Sequence, residues 1–247
     1  LWLLAGCKTG PAGSLTALFP ETETPTSATL CIGPDANREP VLLLSTDSLL
    51  ICTNHMTPKA IRVYDLNSGQ WNDIVSLGRA ENELLDASSI WLSGNALHIY
   101  GANSGKILHI PLDQLFVPNP TMTITSFPRG YYNLSFCARN SCYAGPTGMA
   151  GDSSVAPFSL LGGDSSKISS FGTYRDSDSE ADRNELRFAY QGVLNMNSDG
   201  TRIAYASFFG SVFQFFDSSD PRNIRLVREY RFAEPAYLPA SDPGQQS

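Results

Sequence analysis

Asn95-Ala96-Leu97-His98-Ile99-Tyr100, followed after a turn by Lys106-Ile107-Leu108-His109-Ile110, is the stretch that decides the fold class. Apolar Leu97 and Ile99 alternate with His98 and Tyr100, and a period of two is typical of a β-strand with its two faces in different surroundings. The intervening Asn103-Ser104-Gly105 supplies turn residues that accept positive φ. The stretch therefore predicts a hairpin of two strands in an all-β chain.

The same plan of turn, strand, turn and strand recurs, with leading turn residues Asp47, Asn95, Asn140 and Asp199 at intervals of 48, 45 and 59 residues. Propeller blades of four strands repeat every ~40–50 residues, and one such blade cannot cover both of its faces alone. We therefore predict a β-propeller of four-stranded antiparallel blades, with about four blades visible. A β-sandwich is the alternative, but its turns would recur every ~8–12 residues. The predicted strand pairs are 47–52 with 60–65, 95–100 with 106–110, 140–144 with 157–161, and 199–206 with 212–217.

The composition allows a large core and argues against a nucleic-acid surface. Hydrophobic residues make up 42% of the 247 positions and charged residues 17%, with a formal net charge of −7. A nucleic-acid partner would require clustered Lys and Arg, and the sequence contains no run of five basic residues. Nucleic acid is therefore not an expected partner.

The first seven residues carry a targeting signal. Leu4-Ala5-Gly6-Cys7 ends an apolar run and resembles a bacterial lipobox, in which the cysteine is lipidated. We predict that residues 1–7 end a signal peptide with Cys7 as the lipid acceptor, and that 8–27 form a flexible tether. No later stretch has the ~18 apolar residues of a membrane helix. The expected location is the bacterial cell envelope, anchored by lipid to the outer membrane. A periplasm-facing anchor is preferred, and surface exposure remains the alternative.

Two further groups of residues are candidates for chemistry. If Arg139-Asn140 form a two-residue turn, Cys137 and Cys142 lie opposite each other, so a disulfide is one prediction. His98 and His109 fall in paired strands and are expected to approach each other. No Cys/His pattern predicts zinc, and no metal or cofactor is expected.

The aromatic residues allow two interpretations. Aromatic side chains at strand spacing usually fill the space between blades, but they can also form a platform on which sugars stack. Gly130 places Tyr131 and Tyr132 near a loop, so these two are the preferred candidates for ligand binding. The aromatic set considered is Trp71, Trp91, Tyr131, Tyr132, Phe208 and Phe209.

One local motif carries a family resemblance. Gly78-Arg79-Ala80-Glu81-Asn82-Glu83-Leu84 is similar to the link between blades in the TolB-like six-bladed propeller lipoproteins of Bacteroidota, although Ala80 stands where that family usually has Gly. The resemblance covers most of residues 28–232 and implies that Gly78, Arg79, Glu81, Asn82 and Glu83 form a blade link. It also implies six blades. The chain is then either a fragment of a longer propeller or a complete four-bladed one. Residues 233–247 are either the start of a further blade or a disordered tail.

Function follows only in outline from these patterns. We predict a lipid-anchored, non-catalytic binding or scaffold module with an unknown protein or glycan ligand. The alternative is a propeller enzyme, such as a lyase or lactonase, acting on a sugar derivative with a metal in the channel. With His55, His98 and His109 as the only histidines, and without a Gly-x-Ser-x-Gly motif, no catalytic constellation is visible in the sequence.

Overall fold

The structure is a computed structural model, and the chain divides into the units Leu1–Asn37 and Arg38–Ser247. Every residue whose structure is described belongs to the second unit. The predicted lipid acceptor Cys7, the tether 8–27 and the tail 233–247 lie outside the described part. The described residues are 42–53, 58–139, 141–146, 156–174, 190–208 and 212–231.

Sixteen strands form four antiparallel sheets of four, and in each sheet the strands follow chain order. A 3-10 turn at Leu112–Gln114 is the one helical element within the described residues. Sheet 1 contains β1 (Leu43–Ser45), β2 (Leu49–Thr53), β3 (Lys59–Asp65) and β4 (Trp71–Ser76). Sheet 2 contains β5 (Ser89–Ser93), β6 (Ala96–Gly101), β7 (Lys106–Pro111) and β8 (Thr123–Ser126). Sheet 3 contains β9 (Ser135–Cys137), β10 (Cys142–Pro146), β11 (Phe158–Gly162) and β12 (Lys167–Phe171). Sheet 4 contains β13 (Gly192–Met196), β14 (Arg202–Ser207), β15 (Val212–Asp217) and β16 (Arg225–Arg231).

These sheets are the blades of a β-propeller, so the predicted fold class is confirmed. The four predicted strand pairs are the two central strands of each sheet. The described residues contain four blades, and the six implied by the resemblance stay a prediction. Within the described part of the chain, no helix has the length and hydrophobicity needed to cross a bilayer.

Successive sheets are held together by three apolar layers. Each layer buries side chains from facing sides of two neighbouring sheets, because an amphipathic sheet is stable only when both faces are covered. Ile51, Ile61 and Val63 pack with Leu97 and Ile99 between sheets 1 and 2. Trp91, Tyr100 and Ile107 pack with Tyr143 and Leu161 between sheets 2 and 3. Phe158, Leu160 and Phe171 pack with Ile203, Tyr205 and Phe216 between sheets 3 and 4.

The Gly78–Leu84 motif joins sheet 1 to sheet 2, as the resemblance implies. The carboxylate of Glu83 accepts a hydrogen bond from the Ala80 backbone N–H at 2.9 Å. A Cβ at Gly78 would lie 2.0 Å from that carboxylate, so the position leaves no room for a side chain unless Glu83 moves. Leu84 is fully buried in the layer between the two sheets. The link therefore contributes to packing as well as connecting the blades.

Candidate functional site

A cavity of about 300 Å³ opens where sheets 3 and 4 meet the loop that joins sheets 2 and 3. Its lining comes from the start of β13, the ends of β10 and β14, and residues just outside β11 and β12. All these strand ends lie on the same side of the antiparallel sheets, where propeller loops commonly carry binding residues. The lining residues are Gly130, Tyr132, Asn133, Pro146, Pro157, Tyr174, Tyr190, Gln191, Gly192 and Phe208.

Four aromatic side chains form much of the wall. Tyr174 and Tyr190 meet edge to face, with ring centroids 5.0 Å apart. Tyr190 is buried, whereas Tyr132 and Phe208 are 41% and 53% exposed. The two exposed rings are therefore accessible to a ligand.

The polar groups in the wall are neutral. The Asn133 side-chain amide donates to the Gly192 carbonyl oxygen at 3.3 Å, and the Tyr132 hydroxyl donates to the Asn103 side-chain oxygen at 3.1 Å. An amide group keeps a further donor and acceptor capacity beyond one such bond. None of the ten lining residues within the described part of the chain is charged. The cavity therefore offers aromatic surface and neutral hydrogen-bonding groups.

Two glycines shape the cavity. A Cβ at Gly192 would lie 2.2 Å from the Ala206 backbone oxygen, so glycine is required where β13 approaches β14. Gly130 has φ of +83°, a conformation that favours glycine, and its N–H donates to the Ala102 carbonyl at 3.0 Å. This turn directs the chain so that Tyr132 and Asn133 reach the cavity wall.

The structure separates the two predicted ligand-binding tyrosines. Tyr132 lines the cavity, but Tyr131 is buried in the layer between sheets 2 and 3. Consecutive residues leave an extended backbone on opposite sides, so Tyr131 is a core residue and unavailable for stacking. The sequence does not mark Tyr174 or Tyr190 as ligand-binding candidates. Tyr174 directly precedes the acidic segment 175–183, whose composition is typical of a loop, and this is the only local sign of its role.

His98 and His109 lie directly opposite each other on β6 and β7, and their Nδ1 atoms are 2.7 Å apart. His98 Nε2 lies 3.2 Å from the Ser93 carbonyl, and His109 Nε2 lies 2.8 Å from the Thr125 hydroxyl. Because a carbonyl only accepts, His98 Nε2 carries its hydrogen and its Nδ1 accepts from His109. The His98 ring also stacks on Trp91 at 5.4 Å. These contacts are consistent with a neutral pair between two blades, and the predicted approach of the two histidines is confirmed.

The pair predicts a specific pH dependence of stability. Burial lowers the pKa of both histidines, and His98 further lowers the pKa of His109. Because the unfolded chain, with a histidine pKa near ~6.5, then takes up protons before the folded protein, the stabilisation is complete above about pH 6.5 and decreases as pH falls below it. We expect the melting temperature to fall between about pH 7 and pH 5, and to fall less in the H98Q/H109Q variant.

Carboxylates provide the internal control for that measurement. Hydrogen bonds from neighbouring Ser and Thr side chains lower the pKa of four aspartates, so their stabilisation is lost only at more acidic pH, below about 4. Equal pH slopes for the two proteins between pH 7 and pH 5 would contradict the assignment to histidine. The four aspartates are Asp65, Asp164, Asp199 and Asp217.

Cys137 and Cys142 face each other across the β9–β10 hairpin, as the predicted register requires. Both are buried free thiols, and the Cys137 thiol lies 3.6 Å from the Ser198 carbonyl oxygen. Burial, with a smaller contribution from Cys137, raises the pKa of Cys142 to about 11, so its reactive thiolate is scarce at neutral pH. The disulfide between them stays a prediction. Across the described residues, no group of three or more His, Cys, Asp or Glu side chains is placed to hold a metal ion.

Comparison with known proteins places the chain by fold. The sequence matches no protein-family model and no curated protein. A Bacteroides fragilis protein described as exported aligns with a TM-score of 0.50 and 10% identity, covering 78% of this chain and 51% of that one. A protein of unknown function from Desulfotomaculum acetoxidans aligns with a TM-score of 0.46 and 11% identity, covering 74% and 52%. Kluyveromyces lactis Hsv2 aligns with a TM-score of 0.45 and 11% identity, covering 77% and 61%.

The structural neighbours are β-propeller proteins. At these identities the likeness is one of fold alone. The aligned part of the chain spans about half to three fifths of the length of these proteins.

Proposed function

We propose that this protein is a non-catalytic binding module of a bacterial cell envelope, anchored by lipid at Cys7, and that it binds a neutral carbohydrate in the cavity between sheets 3 and 4. The observation that carries the binding proposal is the uncharged aromatic wall containing Tyr132 and Phe208. The envelope location rests on the lipobox-like Leu4-Ala5-Gly6-Cys7.

Carbohydrate suits this wall for two physical reasons. The C–H faces of a sugar ring are apolar and pack on aromatic faces, while its hydroxyls require neutral donors and acceptors around the rim. Asn133 and Gln191 supply side-chain amide groups at the rim, and Tyr132 supplies a hydroxyl group. A charged ligand would instead need an opposite charge to offset its desolvation. The described lining contains no such charge.

Glycan-array binding followed by calorimetry tests the proposal. The Cys7→Ser variant should move from the membrane pellet to the soluble fraction, and it supplies the protein for the assay. We expect binding to neutral oligosaccharides in preference to sulfated or sialylated ones. Removing one stacked ring costs about 1–2 kcal/mol, so Tyr132→Ala and Phe208→Ala should each weaken binding about 5- to 30-fold.

Two variants serve as controls. Tyr132→Phe keeps the ring and should retain most of the affinity, whereas Trp71→Ala removes an exposed aromatic side chain on sheet 1, away from the cavity, and should leave binding unchanged. The proposal fails if no neutral glycan binds, or if Tyr132→Ala binds as tightly as the parent protein. A Cys7→Ser protein that stays in the membrane pellet would contradict the anchor separately.

A further inference from the structure

The pair formed by His98 and His109 brings two ring nitrogens together on the side of sheet 2 that faces sheet 3. The two residues are direct neighbours on β6 and β7, and their Nδ1 atoms are 2.7 Å apart. Their ring centroids are 4.8 Å apart and the ring planes are nearly perpendicular, at 85°. Both side chains are partly exposed, and Thr125 beside them is exposed, so a solute can reach the pair. Two imidazoles placed in this way can bind a single metal ion.

His98 already has the hydrogen arrangement that a metal ligand requires. Its Nε2–H donates to the Ser93 carbonyl oxygen at 3.2 Å, which leaves the Nδ1 lone pair facing His109. Metal-binding histidines usually donate their second ring N–H to a carbonyl or carboxylate oxygen, because this bond fixes the tautomer and the orientation of the ring. Stacking on Trp91 at 5.4 Å also holds the His98 ring. His98 therefore needs no proton transfer before it binds an ion.

Thr125 allows His109 to adopt the same form. In the hydrogen-bonded pair, His109 Nδ1 carries the hydrogen that it donates to His98, so its Nε2 accepts from the Thr125 hydroxyl at 2.8 Å. A hydroxyl group both donates and accepts. When the hydrogen of His109 moves from Nδ1 to Nε2, Thr125 can therefore accept it. His109 stays neutral in this exchange, no proton leaves the pair, and both Nδ1 lone pairs become available to an ion.

The short distance between the two Nδ1 atoms favours copper(II) over zinc. Metal–nitrogen bonds of ~2.0 Å place two nitrogens ~2.8 Å apart at the 90° angle of tetragonal coordination, and ~3.3 Å apart at the tetrahedral angle of zinc. The observed 2.7 Å is close to the first value, so the rings must turn toward the ion but the strands need not separate. Nitrogen sites also generally bind Cu²⁺ more tightly than the other first-row divalent ions.

We propose that His98 and His109 together bind one Cu²⁺ ion through their Nδ1 atoms. Water supplies the remaining ligands on the exposed side, since Cu²⁺ prefers a tetragonal set of nitrogen and oxygen ligands. The sequence predicts no metal because it contains no Cys/His motif, whereas the pairing of β6 with β7 supplies the two ligands. The copper site shares no residue with the lining of the carbohydrate cavity, so the two proposals are tested separately.

Calorimetric titration with CuCl₂ and ZnCl₂ at pH 7 tests the site in the Cys7→Ser protein. We expect one Cu²⁺ per chain, bound at least about 10-fold more tightly than Zn²⁺. His98→Gln and His109→Gln should each weaken Cu²⁺ binding by more than about 100-fold, because losing a ligand costs more than the ~10–100-fold typical of losing a residue that only orients one. His55→Gln removes the third histidine, which lies outside the described residues, and is the matched control with unchanged binding. All these variants keep the same cysteines, so any binding by thiols cancels in the comparison.

Thr125 and Trp91 provide two further measurements. Thr125→Val should weaken Cu²⁺ binding about 10-fold, because it removes the group that accepts the His109 Nε2–H, and Thr125→Ser should bind as the parent does. Paramagnetic Cu²⁺ quenches the fluorescence of a nearby tryptophan, so most of the quenching should disappear in Trp91→Phe and persist in Trp71→Phe. Electron paramagnetic resonance of the parent protein should show two nitrogen ligands.

The variants also define what would overturn the copper site. The proposal fails if the His98→Gln/His109→Gln double variant binds Cu²⁺ as tightly as the parent protein, or if the parent binds Zn²⁺ as tightly as Cu²⁺. Far-UV circular dichroism confirms that each variant is folded. The resonance spectrum of the parent requires no substitution, and a spectrum without nitrogen ligands would overturn the proposal by itself.

Discussion

Phe158→Ala is expected to destabilise the protein by about 3–5 kcal/mol, the usual cost of removing a buried phenylalanine ring. Phe158 is fully buried, and its ring centroid lies 4.5 Å from that of Tyr205 and 5.4 Å from that of Phe171. A Cβ at Gly172 would lie 2.8 Å from the Phe158 ring, so the backbone also closes on this side chain. The substitution would leave a cavity in the layer between sheets 3 and 4 that this packing cannot easily fill.

Thermal unfolding measures the effect of Phe158→Ala. A loss of 3–5 kcal/mol in a domain of this size corresponds to a melting temperature lower by roughly 6–20 °C. Ile168→Ala is the matched control, because Ile168 is a partly exposed apolar residue on the neighbouring strand β12 of the same sheet. Its expected loss is about 1 kcal/mol or less. Equal melting temperatures for the two variants would mean that sheets 3 and 4 do not pack through Phe158.

Asp73→Ala has the second large expected effect, also about 3–5 kcal/mol, because it leaves a buried positive charge unpaired. Arg62 is 5% exposed and binds Asp73 through two hydrogen bonds of 2.6 Å, from Nε and Nη2. The Asp73 carboxylate raises the pKa of Arg62. The guanidinium also stays charged after the substitution, because an arginine side chain is not deprotonated at neutral pH even without an acidic partner. Without Asp73, the desolvation of that charge is no longer offset.

Chemical denaturation with two controls tests this prediction. Arg202→Ala breaks the exposed Arg202–Asp217 ion pair and should cost no more than about 1 kcal/mol, since solvent screens such pairs. Replacing both Arg62 and Asp73 with leucine removes the charges together and should recover most of the stability lost in Asp73→Ala. An Asp73→Ala protein as stable as the Arg202→Ala protein would show that Arg62 has another way to compensate its charge.

The two controls and the two large effects differ in burial more than in chemistry. Both ion pairs join arginine to aspartate, and both apolar substitutions remove side-chain atoms from blade 3. What distinguishes Phe158 and Arg62 is that neighbouring strands and side chains exclude water from them. The loss of stability expected at these two positions therefore follows from their burial, which the residue types alone do not reveal.

Local patterns in the sequence were sufficient for the strands at the centre of each blade. β6 and β7 alternate apolar and polar side chains around a glycine turn. Each of the other sheets has two β-rich runs separated by a loop at its centre, with the weakest pattern in sheet 3. The first strand of sheets 1 and 3 has only three residues, too few to show a period. The hairpin register of Cys137 and Cys142 was also predictable, because a two-residue turn dictates which residues face each other.

The cavity was predictable only in part. Gly130 predicts that Tyr131 and Tyr132 lie near a loop, but the side on which each ring lies depends on packing between sheets 2 and 3. Tyr190 precedes β13 and Phe208 follows β14, so both lie at the open end of that hairpin and line the cavity. Tyr132 lines the same cavity from the loop between β8 and β9. No local periodicity relates residues so distant in the chain.

The sequence by itself determined that the chain is all-β and that its unit is an amphipathic blade, because both properties depend on residues close together in the chain. The role of Gly78–Leu84 as a blade link came only from the family resemblance. Only the tertiary structure decided which side of each sheet is covered. It also decided that Tyr131 is core while Tyr132 faces a cavity. These properties depend on contacts between blades, and such contacts are set by the stacking of whole sheets.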